Sequence, residues 1–282
     1  MPHEHAAAVL DAAGLEEIRK RLGIWSIRMT TKAASGHPSS CLSASHLVTA
    51  LFFGGYMRYD ASRPEWPERD RFVLSKGHAA PILYAALKEA GVIDNDLMSL
   101  REIGSPLEGH PNVRRLAGVE ASTGSLGQGL SLALGMALGQ RMDGSGARTF
   151  VVMGDGEVDE GQVWEAAMAA AKYDVDNLVA LVDRNGYQQM GQADQVLPLD
   201  PLVEKFAAFG WRASEIDGHD WSQVLGALDA ARETDGRPTV IIAHTKKGYG
   251  VSKILADPGN KYHGVPLSQE EMAVAIEEIE NA

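Results

Sequence analysis

The stretch TFVVMGDGEVDEGQVWEAAMAAAKYDVDNLVALVDRNGY, residues 149–187, decides the fold. It opens on an apolar run, Thr149 to Met153, that ends at Gly154-Asp155-Gly156. A helix-like segment follows, Glu160 to Lys172. A second apolar run, Asn177 to Val182, ends in Asp183-Arg184-Asn185-Gly186-Tyr187. Strand, turn, helix, strand is the unit that places a ligand at the carboxyl ends of parallel strands. One strand end carries an acid, Asp155, and the other an amide, Asn185, each with a glycine beside it. Hard oxygen donors on two strand ends suit a Mg2+ ion that also holds a diphosphate.

On the amino-terminal side, Thr123-Gly124-Ser125-Leu126-Gly127-Gln128-Gly129 runs into a small-residue helix, Leu130 to Arg141. A glycine-rich turn at a helix start presents free N–H groups, which favour phosphate. Arg71 to Ser75 reads as a short strand. Lys76-Gly77-His78 and a helical run, Ala79 to Ala90, follow it. Residues 96–118 form a long connection with Gly109-His110-Pro111 inside, and long loops in folded domains are often functional. Residues 59–71, rich in Pro and charge, read as an exposed loop. Farther back, Leu15, Ile18, Leu22, Trp25 and Met29 make one apolar helical face within residues 11–34. That helix stops near Ser35-Gly36-His37-Pro38. Residues 43–54 predict a second, buried helix.

On the carboxyl side, Leu202 to Phe209 predicts a short helix and Trp211 to Ile216 a strand. Residues 221–233 predict a helix after the turn Asp217-Gly218-His219-Asp220. Pro238 to Ala243 is a further apolar strand, followed by a long loop from Lys246 to His263. Ser268 to Glu280 reads as a terminal helix, with Ser268 as N-cap and Glu271 at the capping-box position. Strands alternate with helices throughout, so the expected class is α/β with a parallel sheet flanked by helices. No repeat, low-complexity linker or composition break divides the chain, and residues 1–282 read as a single domain.

The bulk numbers narrow the function classes. Of the 282 residues, 45% are hydrophobic and 23% charged, ordinary values for a soluble globular protein. A net charge of −12 opposes broad affinity for nucleic acid or anionic membrane. Cys41 is the single cysteine, which excludes an intrachain disulfide and suits a reducing compartment. The start, Met1 to His5, lacks the basic region of a signal peptide. No run approaches the roughly 18 apolar residues of a membrane span. Cytoplasmic localisation is the expectation.

The central unit, GDG followed some thirty residues later by Asn, resembles the thiamine diphosphate motif. Its continuation EGQVWEA (Glu160 to Ala166) is similar to transketolases in particular. So are SGHP (Ser35 to Pro38), RDRFVLSKGH (Arg69 to His78), GHPN (Gly109 to Asn112), TGSLGQGLS (Thr123 to Ser131) and HGVP (His263 to Pro266). These motifs stand in the transketolase order and span nearly the whole chain. The chain therefore resembles the amino-terminal, diphosphate-binding half of a transketolase, and the thiamine diphosphate-binding fold is the one implied.

The resemblance implies roles position by position. Asp155, Asn185 and the Tyr187 carbonyl would ligate Mg2+ or another divalent cation. Gly124, Leu126 and Gly156 would let the backbone approach the cofactor, with His78 and His263 near its diphosphate. His37 and His263 would move protons on sugar hydroxyls, since imidazole titrates in the right range. His110 would bond the terminal hydroxyl of a ketol donor. Glu160 and Glu165 match acidic positions between the two cofactor sites of the family's dimer. The remaining histidines, His3, His5, His46, His219 and His244, read as ordinary, with His219 structural. Trp164, Met168 and Tyr173 read as packing, Cys41 as a buried small residue, and Lys246-Lys247 as solvated. The acidic tail, Glu270 to Glu280, reads as the wet face of a helix.

In the family, the glutamate that bonds the cofactor's aminopyrimidine ring comes from a following domain, as do the arginines that clasp sugar phosphates. Nothing after His263 is long enough to supply that domain. The implied activity is transfer of a two-carbon ketol unit from a ketose, expected to be phosphorylated, to an aldose. The implied partner is a carboxyl-terminal transketolase subunit with the pyrimidine-binding domain, in an α2β2 heterotetramer. A fragment of a longer chain is the competing explanation. Two other functions stand beside it: a subunit of a thiamine enzyme acting on a 2-keto acid, and a non-catalytic diphosphate-binding subunit. The histidine motifs argue against both.

Overall fold

Five short strands pair in parallel to make one sheet, and their apolar faces organise the rest. A computed structural model of the chain describes residues 9–233, 235–257 and 259–282. The sheet strands are β1 (Arg71–Leu74), β2 (Thr149–Gly154), β3 (Leu178–Arg184), β6 (Arg212–Asp217) and β7 (Thr239–His244). Two-residue strands β4 (Tyr187–Gln188) and β5 (Gly191–Gln192) form a separate hairpin. Sheet order is β1-β2-β3-β7-β6, and every neighbouring pair is parallel.

Successive side chains of a strand point to opposite faces. Phe72, Leu74, Phe150, Val152, Val179 and Leu181 join one buried layer, while Val73, Val151, Met153, Ala180 and Val182 join the other. Both faces are covered, so these strands are apolar throughout rather than alternating. Each fully buried Val, Leu or Ile stabilises the fold by roughly 1.5–3 kcal/mol relative to exposure.

The first layer holds α1 (Ala12–Lys32), α3 (Ser45–Phe53) and α4 (Ala80–Glu89), with α2 (Pro38–Ser43) leading into α3. The second holds α5 (Gln128–Met142), α6 (Gly161–Lys172) and α8 (Leu202–Ala208), with the short α7 (Ala193–Val196) before α8. Those helices carry the chain across the sheet from β1 to β6. The return from β6 to β7 runs through α9 (Trp221–Ala230), which packs in the first layer. Opposite directions of travel need opposite faces when crossovers are right-handed. After β7 come α10 (Ser252–Leu255) and α11 (Gln269–Glu280). In α11 both halves of the expected capping box form, Ser268 with the Glu271 N–H and Glu271 with the Ser268 N–H.

Local departures have local causes. The helix expected over 43–54 is α3, and a short helix that was not expected, α2, precedes it. Pro38 opens α2 at its first turn, where the missing N–H costs nothing, and the chain re-caps at Ala44. The hairpin of β4 and β5 lies inside a stretch with no alternating pattern. The first helix does end as expected, with Ala34 and Gly36 at φ 48° and 131°. Because the sheet is parallel, the segments after β1, β2, β3 and β7 all leave from one edge.

Candidate active site

That edge is where the chemistry-bearing side chains gather. Gly154 is in register with Asp183, so Asp155 and Asn185 follow on neighbouring strand ends. Asp155 ties those ends together. Its Oδ1 accepts the Gly156 N–H at 2.9 Å and its Oδ2 the Gly186 N–H at 2.6 Å. Asn185 Oδ1 accepts the Tyr187 N–H at 3.1 Å, which turns the chain into the hairpin.

Above them lies a cavity of 280 Å³. Its wall includes His37, His78, His110, Gly124, Leu126, Asp155, Gly156, Asn185, Tyr187 and His263, so the fold brings these predicted site residues to one place. Ser40, Lys76, Gly154, Glu157, Gln188 and Gln189 complete it. Glu160 is not in the wall. It is the exposed N-cap residue of α6, and Glu165 is exposed farther along the same helix.

Three buried groups that the sequence left unremarked hold this arrangement. Lys76, 1% exposed, is ion-paired with Asp183, which is fully buried. Asp183 also accepts from the Ser43 hydroxyl at 2.6 Å and from the Thr245 hydroxyl. Burial alone would raise the Asp183 carboxyl, yet the Lys76 ammonium and these hydrogen bonds hold it below the usual range. Glu157, the third, accepts the Gly127 N–H at 2.9 Å, the Gly154 N–H at 3.1 Å and the Ser75 hydroxyl. It thereby fastens the glycine-rich turn to the ends of β1 and β2. Gly124 has φ 132°, and a Cβ there would lie 2.5 Å from the His110 ring. Glycine is needed at that position for both reasons.

The site has an unbalanced electrostatic character that fits a cation and an anionic ligand. Burial, and then the nearby Asp183 charge, push the Asp155 carboxyl up to about 6. A divalent cation beside it would relieve both. Among the described residues no group of three or more His, Cys, Asp or Glu side chains could hold a metal ion. Asp155, Asn185 and the Tyr187 carbonyl would give a hard ion only part of its shell, and ligand phosphates and water would have to supply the rest. His37 Nδ1 is buried with no hydrogen-bond partner among the described residues, a polar wall atom that a ligand could satisfy.

The imidazoles form a cluster. Ring centroids are 5.0 Å apart for His37 and His78, 5.3 Å for His37 and His263, and 5.9 Å for His78 and His263. Burial, reinforced by Arg101, lowers His37 to about 4. Burial, reinforced by Lys247, lowers His263 to about 3. His78 lies well below its ordinary value for the same first reason, and His110 is lowered by burial and Arg101. At neutral pH these rings are uncharged, each with one ring nitrogen that can accept a hydrogen bond and one that can donate.

Lys247 corrects the sequence expectation. It is buried, 8% exposed, with its ammonium against His263 Nδ1, and burial lowers it to about 7. Only Lys246 is exposed. The Lys247 side chain turns inward to His263, a residue of the cavity wall, while that of Lys246 faces outward, so adjacent lysines face opposite environments. Met168 and Tyr173 also depart from expectation, at 49% and 57% exposed, because they sit on the outer side of α6 and just beyond it. Trp164 does pack, 5.0 Å from Phe206 and 5.8 Å from Phe209. Cys41 is buried as expected, its thiol pushed up to about 12 by burial. His244 is exposed beside Glu215, and His3 and His5 lie outside the described residues.

Residues 16–279 match the sequence model of a family described as transketolase, thiamine diphosphate binding domain. The chain is 46% identical over 269 residues to transketolase-like protein 2 of Bos taurus, covering 94% of this chain and 42% of that protein. It is 40% identical over 278 residues to the 6-deoxy-6-sulfo-D-fructose transketolase subunit SqwG of Clostridium sp., covering 98% of this chain and 96% of that subunit. The crystal structure of transketolase from Campylobacter jejuni superposes with a TM-score of 0.89 at 31% identity, over 96% of this chain and 43% of that one. The chain thus spans less than half the length of the animal relative and nearly all of the clostridial subunit. No helix among the described residues is long and apolar enough to cross a membrane.

Proposed function

This chain belongs to the transketolase family, through its thiamine diphosphate binding domain, and from that premise we propose that it is one subunit of a two-chain transketolase. The second chain carries the pyrimidine-binding domain, and the pair assembles as an α2β2 heterotetramer in the cytoplasm. The complete enzyme transfers a two-carbon ketol unit from a ketose to an aldose. The ketose carries an anionic terminal group, phosphate or sulfonate. The two-chain reading is supported by the match to nearly the full length of a protein named as a subunit, whose name also specifies a sulfonated ketose.

Asp155, Asn185 and the Tyr187 carbonyl hold Mg2+ or another divalent cation, which neutralises the diphosphate. Gly124, Leu126 and Gly156 admit the backbone close to the cofactor, and His78 lies against it. When bound, thiamine diphosphate supplies the nucleophilic carbon that ketose cleavage requires. His37 and His263, neutral at pH 7, accept protons from donor hydroxyls. Lys247, near neutrality itself, hands a proton to or takes one from His263 Nδ1. His110, at the mouth beside Gly124, orients the terminal hydroxyl. Glu160 serves between the cofactor sites of two copies rather than in the cavity of one.

The observation that carries this reading is the cavity itself: a wall of neutral imidazoles that also holds the buried Asp155 carboxyl, pushed up to about 6 by burial. The test is purification of the chain with its pyrimidine-domain partner and assay with fructose 6-phosphate and with its 6-sulfo analogue. Ketol transfer that needs both chains, thiamine diphosphate and Mg2+ is the expected result. Transfer by this chain alone would refute the two-chain arrangement. Turnover of pyruvate but of neither ketose would refute ketol transfer.

A further inference from the structure

Away from the cavity, a second polar cluster joins α1, α3, the turn before α9 and the loop after β7. Buried His46, in α3, has its Nδ1 3.1 Å from Nδ1 of His219. The other ring nitrogen of His219, Nε2, accepts the backbone N–H of Lys246 at 2.8 Å. The His219 ring stacks on Tyr249, with centroids 3.8 Å apart and planes at 18°. His46 lies 4.7 Å from the Trp221 ring, and Trp221 Nε1 donates to Glu16 Oε2 at 3.0 Å. Glu16 is in turn ion-paired with the buried Arg19.

These contacts have a direction. A ring nitrogen that accepts an N–H carries no proton. His219 Nε2 accepts from Lys246, so neutral His219 holds its proton on Nδ1 and donates to His46 Nδ1. His46 is then left with its proton on Nε2, the nitrogen 3.8 Å from Glu16 Oε2. Two N–H groups thus donate in series, that of Lys246 to His219 and that of His219 to His46, and the His46 Nε2–H is left on the side of Glu16 without a hydrogen bond to it. Each tautomer is forced by the one before it.

We propose that His219 is a positioning residue, and that this His46–His219 relay fixes the loop that carries Lys247 and His263. The last residue of β7 is His244, so the Lys246 N–H has no strand partner. His219 takes that place, with a ring held by Tyr249 on one side and by His46 on the other. Thr245 N–H bonds to the Arg184 carbonyl at 3.0 Å and Gly248 N–H to the Ser39 carbonyl at 3.0 Å. With Lys246 pinned between them, the next side chain, Lys247, is aimed at His263 in the cavity wall. Neither His46 nor His219 lines the cavity. The effect on the loop is independent of the proposed function. Only the effect on cofactor affinity rests on it.

Two variants of the full chain separate the acceptor from the ring. His219→Phe keeps a flat ring to stack on Tyr249 but has no acceptor, and His219→Gln returns one. Amide hydrogen exchange across residues 245–263 is the readout. In His219→Phe, exchange at Lys246 and the residues after it rises about tenfold, with β2 and β3 unchanged, and His219→Gln recovers most of the protection. Ring 15N spectra of the unaltered chain place the proton on Nδ1 of His219 and on Nε2 of His46. Unchanged exchange at Lys246 in His219→Phe would overturn the proposal, and so would a proton on Nε2 of His219. Should His219→Phe lose protection everywhere, the ring spectra decide. With the partner chain present, His219→Phe also weakens thiamine diphosphate binding about tenfold. Unaltered binding in that variant would remove the link to Lys247. Absence of binding by the unaltered pair would instead count against the proposed function, while the exchange data still judge the relay.

Discussion

Lys76 and Asp183, 107 residues apart in the chain, form an ion pair beside the cavity with side-chain exposures of 1% and 0%. The pair joins the end of β1 to β3, and its two extra hydrogen bonds from Ser43 and Thr245 bring in α2 and the β7 end. Four of the segments that build the site therefore meet on one carboxylate. Removing either charge leaves the other buried without compensation.

Lys76→Met should destabilise the chain by about 3–5 kcal/mol, the usual cost of stranding one buried charge. Lys76→Met with Asp183→Asn should be less destabilised than the single variant. Urea unfolding of the three proteins measures both expectations.

Glu157→Ala removes the acceptor for two backbone N–H groups and one hydroxyl. A loss of roughly 1–3 kcal/mol follows from leaving buried donors unpaired. Hydrogen exchange should rise first in residues 123–129, before the sheet is affected.

Gly124→Ala places a methyl group 2.5 Å from the His110 ring at a φ of 132°. The strain costs about 1–3 kcal/mol, and His110 must move. In the assembled enzyme KM for the ketose should rise. Titration calorimetry should show Mg2+-dependent cofactor binding weakened far less than in Asp155→Ala.

Asp155→Ala should abolish Mg2+-dependent uptake of thiamine diphosphate by the paired chains, a loss of at least about a hundredfold in affinity. Asn185→Ala should weaken it in the same direction. Chelation of Mg2+ should reproduce the effect in the unaltered protein. Uptake that survives both substitutions would remove the metal from the proposed function.

Stability should fall as pH drops below about 6.5, the ordinary value for histidine. His37, His78, His263, His46 and His219 all have folded values depressed mainly by burial, to about 4 for His37 and His219. The unfolded chain takes up those protons first, so their stabilisation is fully present at pH 7 and is lost as pH falls from 6.5 toward 4. For the most buried rings the slope is on the order of 1 kcal/mol per pH unit each. Thermal melts between pH 7.5 and 4.5 read the slope, and His46→Gln should reduce it.

Much of this was legible in the residues. The run from Thr149 to Tyr187 determined strand, turn, helix and strand, because apolar period and glycine position act between near neighbours. The same local logic placed the end of α1 near Ser35-Gly36, a few residues past Lys32 where it ends, and the capping box at Ser268 and Glu271. Short motifs, each with a histidine, glycine or acid at a fixed offset, named ten of the residues that the cavity wall contains. Tertiary structure alone decided which other side chains stand with them. Nothing near Lys76 in sequence announces Asp183, nothing near Glu157 announces Gly127, and Lys247 differs from Lys246 only by the side of the chain on which it emerges. Met168 and Tyr173 make the complementary point, since a helical pattern counts apolar residues but does not say which face a neighbour covers. Backbone conformation is set by residues a few positions apart. Burial and charge pairing are set by whatever the sheet carries into contact, and those partners lie tens to hundreds of residues away.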